Sequence, residues 1–125
     1  MALSAFWLWI AAATSALCWG VHTFVGGREI VPPLFGSDLP AMPKHVLYFV
    51  WHIVTILLAF VAAGFALAAL YPSAWPLAVQ ATLLSLVIAL LILAVSVRYR
   101  MPFKDMPQWT IFFAMAAFGG VAMLG

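Results

Sequence analysis

The sequence predicts an all-α integral membrane protein, an antiparallel four-helix transmembrane bundle forming a single domain over residues 1–125. Three observations predict it. The chain is 68% hydrophobic and only 6% charged, so in water it would lack the polar groups to cover its own surface. Its 5 basic and 3 acidic residues all fall in two short windows, residues 28–44 and 98–105. Outside those windows run four apolar stretches, at about residues 3–25, 46–70, 75–97 and 108–124, each near the ~20 residues that a helix needs to cross ~30 Å of hydrocarbon. Long apolar runs without alternation select helices over barrel strands, because lipid offers no partner to an unpaired backbone group.

The first stretch is expected to be a retained span rather than a cleaved leader. No basic residue precedes it, and bulky Leu17 stands where a signal peptidase requires a small side chain, just before the lone Cys18. One cysteine cannot form an internal disulfide. Residues 26–45 then read as a long loop, with Pro32, Pro33, Pro40 and Pro43 hostile to regular helix, Gly26-Gly27 as the turn out of span one, and Ile30, Val31, Leu34, Phe35, Leu39 and Met42 dipped into the interface. Ser37 or Asp38 is placed to cap the entry to span two. Pro72 and Pro76 make residues 71–76 a tight turn, so spans two and three form a hairpin. Residues 98–107 carry the densest charge, and Pro107 suits the start of span four. Trp7, Trp9, Trp75, Trp109, Tyr48, Tyr71 and Tyr99 lie mostly near span ends, where amphipathic rings anchor in the headgroup zone.

Arg28, Lys44, Arg98, Arg100 and Lys104 all belong to the first and third loops, and neither the Tyr71 turn nor either tail holds a lysine or arginine. The positive-inside rule therefore places loops one and three in the cytoplasm, or an equivalent compartment, and both termini outside; the expected location is a bacterial inner membrane. The net charge of +2 is a topology signal with some affinity for anionic headgroups, and it excludes a nucleic-acid footprint.

Helix association in lipid depends on close approach, so small residues four apart mark expected packing faces: Ala12, Ala16 and Gly20; Ala59 with Ala63; Ala62 with Ala66; and Ala116 with Gly120 beside Gly119. Polar residues within spans are more discriminating, because lipid penalises them unless they find partners. Helical spacing aligns Thr14, Cys18 and His22 on span one, and His45, Tyr48, His52 and Thr55 on span two. If these faces meet, Cys18, His22, His45 and His52 are candidate ligands for a metal such as copper, and His22, His52 and Tyr48 for haem, since imidazole and thiolate suit both. Glu29 or Asp38 would have to supply the outer shell. The alternative reading is that each histidine simply hydrogen-bonds a neighbouring helix.

Catalysis is not expected. Three acids in total, no serine-nucleophile motif, no phosphate-cradling loop and no paired carboxylates leave nothing to run acid–base or covalent chemistry. Small proton-coupled multidrug transporters have this size and span number but depend on a glutamate in span one, which is missing here; the glycine-rich, arginine and paired-aromatic motifs of small fluoride channels are missing too. A transport reading is left with His22 and His52 for proton coupling and with Gln80, Thr82, Ser85 and Ser96 to line a polar path.

Gly20-Val21-His22 at the end of span one, Tyr48-Phe49-Val50-Trp51-His52 in span two and Phe118-Gly119-Gly120 in span four give a layout that resembles a domain-of-unknown-function family of small four-span membrane proteins in bacteria and mitochondria. The resemblance implies the four-span fold and a pairing of His22 with His52, and it brings no activity. The function expected is that of a structural, assembly or partner-binding protein, such as an accessory subunit of a larger membrane complex, whose partners are the bilayer and other membrane proteins or a second copy. The alternative is a small transporter or channel, or a haem- or metal-binding protein, using His22 and His52.

Overall fold

The computed structural model describes residues 2–125, and its elements are all helical: α1 (Ala2–Gly20), a π-helical segment (Val21–Gly26), α2 (Gly27–Phe35), α3 (Ala41–Leu70), a 3₁₀ turn (Pro72–Ala74), α4 (Trp75–Arg98) and α5 (Gln108–Leu124). Three of the helical runs, Ala2–Phe35, Ala41–Leu70 and Pro72–Arg98, are long and apolar enough to cross a membrane, and Gln108–Leu124 is a shorter apolar helix. Each packs antiparallel to its sequence neighbour. The chain then closes on itself, since α5 returns along α1 until Gly125 lies beside Leu3 and Ser4.

The core lies at the end of the bundle that holds the termini. Leu8, Ala11, Ala12, Ser15 and Cys18 of α1 meet Leu58, Val61, Gly64, Phe65 and Ala68 of α3, and α5 wedges Phe112, Met115, Ala116 and Gly119 between α1 and α4. Trp7 stacks on Phe118 at 5.8 Å between centroids. These inward faces coincide with the expected stripes only in part. Ala16, Ala59 and Ala63 are exposed, and a Cβ on Gly20 or Gly120 would meet nothing within 4 Å, whereas Gly119 is pressed against Thr82 and Phe65. Of the expected small residues, Ala12, Ala116 and Gly119 are buried.

The expected loop over residues 26–45 is the main correction. Helix runs through Pro32 and Pro33 to Phe35, and α3 begins at Ala41, so only residues 36–40 turn. Proline's fixed φ near −65° fits a helix, and its missing N–H orphans only the carbonyl four residues earlier. Those carbonyls belong to Arg28 and Glu29, both exposed, and the helix ends within a turn of the prolines. Gly26 and Gly27 sit at φ −61° and −58°, inside the helix rather than at a turn.

Neither Ser37 nor Asp38 caps α3. Pro40 occupies that position without a side-chain cap, and the Ser37 hydroxyl instead donates back to the Leu34 carbonyl at 2.7 Å. The cap that does form is a cation on the carbonyl end of α2. Lys44 Nζ donates to Phe35 O at 3.1 Å and to Ser37 O at 2.8 Å, which ties the turn to α3 and complements the negative end of the helix dipole. Lys44→Ala should free both carbonyls at a cost of about 1 kcal/mol. Amide hydrogen exchange at residues 36–44 should then quicken several-fold with the bundle core unchanged, and equal protection in the variant would refute the clamp.

Buried and half-buried hydroxyls elsewhere are satisfied within their own helix: Thr14, Ser15, Thr55, Thr82, Ser85 and Ser96 each donate to the carbonyl four residues back. Thr23 does not, and its buried Oγ1 has no partner. It lies in the π-helical segment, where the wider winding shifts backbone pairing by one residue and carries the usual acceptor out of reach.

Candidate functional site

Where α1 ends and the π-helical segment begins, the packing changes character. No residue between Cys18 and Leu58 is buried. The π-helical segment and α2 lie against the first half of α3 as a two-helix arm that continues beyond the four-helix core, and the sequence-predicted polar residues concentrate there.

Trp51 is the centre of the arm. Its ring stacks on the His22 imidazole with centroids 3.9 Å apart and planes 18° from parallel. Its far edge rests on Gly26, where a Cβ would come within 2.9 Å of Cη2. The glycine therefore has a packing role that the loop reading missed. The Trp51 carbonyl also accepts from His22 Nε2 at 3.2 Å and from Thr55 Oγ1 at 3.2 Å. A carbonyl only accepts, so the hydrogen of the neutral His22 ring sits on Nε2, leaving Nδ1 as the nitrogen with a lone pair.

The other candidates form a separate aromatic ladder. Tyr48 meets His52 edge-on at 4.6 Å and Phe35 at 5.0 Å, and Phe35 meets His45 at 5.9 Å. His45 Nδ1 pairs with the Ala41 carbonyl of its own helix at 2.7 Å, and His52 is exposed. Cys18 lies buried in the bundle core as a free thiol. Among the described residues no group of three or more His, Cys, Asp or Glu is assembled that could hold a metal ion, so Cys18, His22, His45 and His52 are not gathered into one set. For haem, His22 and His52 would need free nitrogens aimed at a common centre. His22 instead has one nitrogen on a carbonyl and its ring face covered by Trp51.

The concave surfaces are apolar. A groove of about 470 Å³ opens between α3 and α4 over Gly64, with Leu57, Phe60, Leu67, Leu77 and Leu84 along its walls and Gln80 as its one amide. A second, of about 430 Å³, lies among Ser4, Leu8, Ala68, Pro72 and Trp75. Thr82, Ser85 and Ser96 donate to their own helix and do not line either groove. These surfaces suit hydrocarbon, whether lipid chains or apolar side chains. No protein-family model, curated protein or solved structure matches the chain.

What the arm presents is apolar surface. Val21, Phe24, Val25, Ile30, Met42, Leu47, Phe49 and Val50 are exposed along it, with Phe24 at 61% and Met42 at 73%, although no third helix covers them.

Proposed function

We propose that the chain is a four-span protein of the bacterial inner membrane, with both termini outside, and that it binds another membrane protein as an accessory or assembly subunit. The observation that carries the reading is the arm: two apolar helices continuing past the last core layer with no buried residue between Cys18 and Leu58. Within lipid, exposed apolar side chains cost nothing by themselves, but a pair of helices carrying Arg28, Glu29, Asp38 and Lys44 near its tip extends to the level where hydrocarbon ends. Apolar surface at that level is best covered by protein. The seam that holds the arm together uses His22 and Trp51, so the Gly-x-His and Tyr-x-x-x-His elements shared with the small four-span family would mark a helix-packing device rather than a ligand site.

Single-cysteine variants in a Cys18→Ser background test this in native membranes. Phe24→Cys, Met42→Cys and Phe49→Cys on the arm should cross-link to one partner of fixed mass and be shielded from lipid-soluble quenchers, while Phe60→Cys and Val87→Cys on the bundle exterior should be lipid-accessible. Arm positions as accessible as Phe60 and Val87 would overturn the reading. So would a topology reporter that places the Tyr71 turn in the cytoplasm, or a purified protein that carries stoichiometric haem or copper lost on His52→Ala.

A further inference from the structure

We propose that the loop joining α4 to α5 is a binding site for the phosphate of an anionic phospholipid, formed by Arg98, Arg100 and Lys104. The proposal rests on the membrane reading above and adds to it a ligand of defined chemistry.

The first observation is that these cations are unused. Lys44, by contrast, is consumed by two carbonyls. Among the described residues, the one partner of the three loop cations is the Tyr99 ring, 5.5 Å below the Arg98 guanidinium. The carbonyls that end α4 do not need them either. Tyr99 N donates to Val95 O at 3.0 Å, Arg100 N to Val97 O at 3.3 Å and Met101 N to Ser96 O at 2.9 Å, so the helix closes on its own backbone.

The second observation is a backbone anomaly. The last two of those bonds form the motif in which the residue after the helix adopts left-handed dihedrals, a position that glycine normally takes. Here it is Arg100 at φ 51°, the one non-glycine residue with positive φ among those described. Holding a side chain there costs about 1 kcal/mol relative to glycine. Glycine would serve the turn better, so the turn itself does not account for an arginine.

The third observation is that the loop is already ordered and amphipathic. Asp105 N and Met106 N both donate to Pro102 O, at 3.0 and 3.2 Å, and Phe103 meets Trp109 edge-on at 5.9 Å. Tyr99 is 67% exposed, Phe103 60% and Met101 40%. Alternating cations with exposed aromatic and apolar side chains match the depth at which phosphates sit over acyl chains. Asp105 is the loop's one acid, so three cations face outward against a single carboxylate and the loop favours an anion. Because the segment is folded beforehand, little order has to be gained on binding.

Native mass spectrometry of the purified chain in neutral detergent, with phosphatidylglycerol and phosphatidylcholine as probes, tests the site. The wild type should retain phosphatidylglycerol over phosphatidylcholine by about a hundredfold if all three cations take part, at roughly fivefold per cation. Arg98→Gln with Arg100→Gln and Lys104→Gln should abolish the preference, and Lys44→Gln should leave it. Arg100→Gly separates binding from folding, because relieving the left-handed strain should keep or raise thermal stability while the preference falls several-fold. An unchanged preference in the triple variant would overturn the proposal, as would displacement of phosphatidylglycerol by inorganic phosphate at equal concentration, which would indicate a site for free phosphate. Flotation with phosphatidylcholine vesicles distinguishes the two failures: a chain that does not insert sinks the membrane reading, and a chain that inserts without headgroup preference sinks only this site.

Discussion

Gly119→Ala is expected to loosen the whole bundle, and Gly120→Ala to leave it unharmed or slightly firmer. The two glycines are adjacent in α5 and indistinguishable by composition, yet a Cβ on Gly119 would run into the Thr82 hydroxyl, stand 3.1 Å from Thr82 Cβ and 2.9 Å from Phe65 Cε1. Phe65 is fully buried and Thr82 holds its hydroxyl on Ala78 O at 2.8 Å, so neither yields without disturbing α3 or α4. Overpacking of this kind costs about 1–3 kcal/mol. Around Gly120 there is nothing within 4 Å, and replacing a helical glycine by alanine gains about 0.5–1 kcal/mol of backbone entropy. Thermal unfolding in mild detergent should therefore show a clear drop for the first variant and none for the second. Thr82→Ala should partly rescue Gly119→Ala by removing the hydroxyl from the collision. Equal effects of the two glycine variants would mean that α5 does not pack by this face.

That contrast also locates the boundary of what could be read from the residues. The number, order and approximate ends of the apolar helices are set by where charge and proline interrupt hydrophobic sequence, and α5 begins at Gln108, where the pattern places it. Which face turns inward is not written the same way. Lipid and core are equally apolar, so Gly119 and Gly120, or Ala59 and Leu58, carry no polarity contrast that would tell them apart. The loop over residues 26–45 failed for a different reason. Proline's helix-breaking effect is confined to the preceding turn, and Pro32 and Pro33 stand where the helix is about to end.

The candidate site follows the same division. That His22 would find a partner on span two was legible from its polarity, because an imidazole within a span seeks one. That the partner is the Trp51 carbonyl and ring rather than His52 was not, since adjacent positions on a helix point ~100° apart and only the packing chooses between them. The usable signal was steric: Gly26 facing a tryptophan, the smallest residue set against the largest.

Trp51→Ala is expected to detach the arm from itself without unfolding the bundle. With no buried residue between Cys18 and Leu58, the arm has no core of its own, and the Trp51 side chain supplies the stack on His22 and the contact with Gly26, while its backbone carbonyl, taken by His22 and Thr55, stays in the variant. Truncating a fully buried tryptophan costs 3–5 kcal/mol, and Trp51 is half-buried, so about 2 kcal/mol is expected. That loss should raise amide exchange in the arm, residues 21–35 and 41–52, on the order of tenfold to a hundredfold. Exchange at Leu8, Phe65, Ala89 and Met115 should not change, because those residues lie in the other half of the molecule. His22→Leu should reproduce a fraction of the effect by removing the donor to the carbonyl, and His22→Gln, which keeps a donor, a smaller one. If Trp51→Ala accelerates exchange in the core as much as in the arm, the two parts are one cooperative unit, and an arm held apart for a partner is no longer tenable.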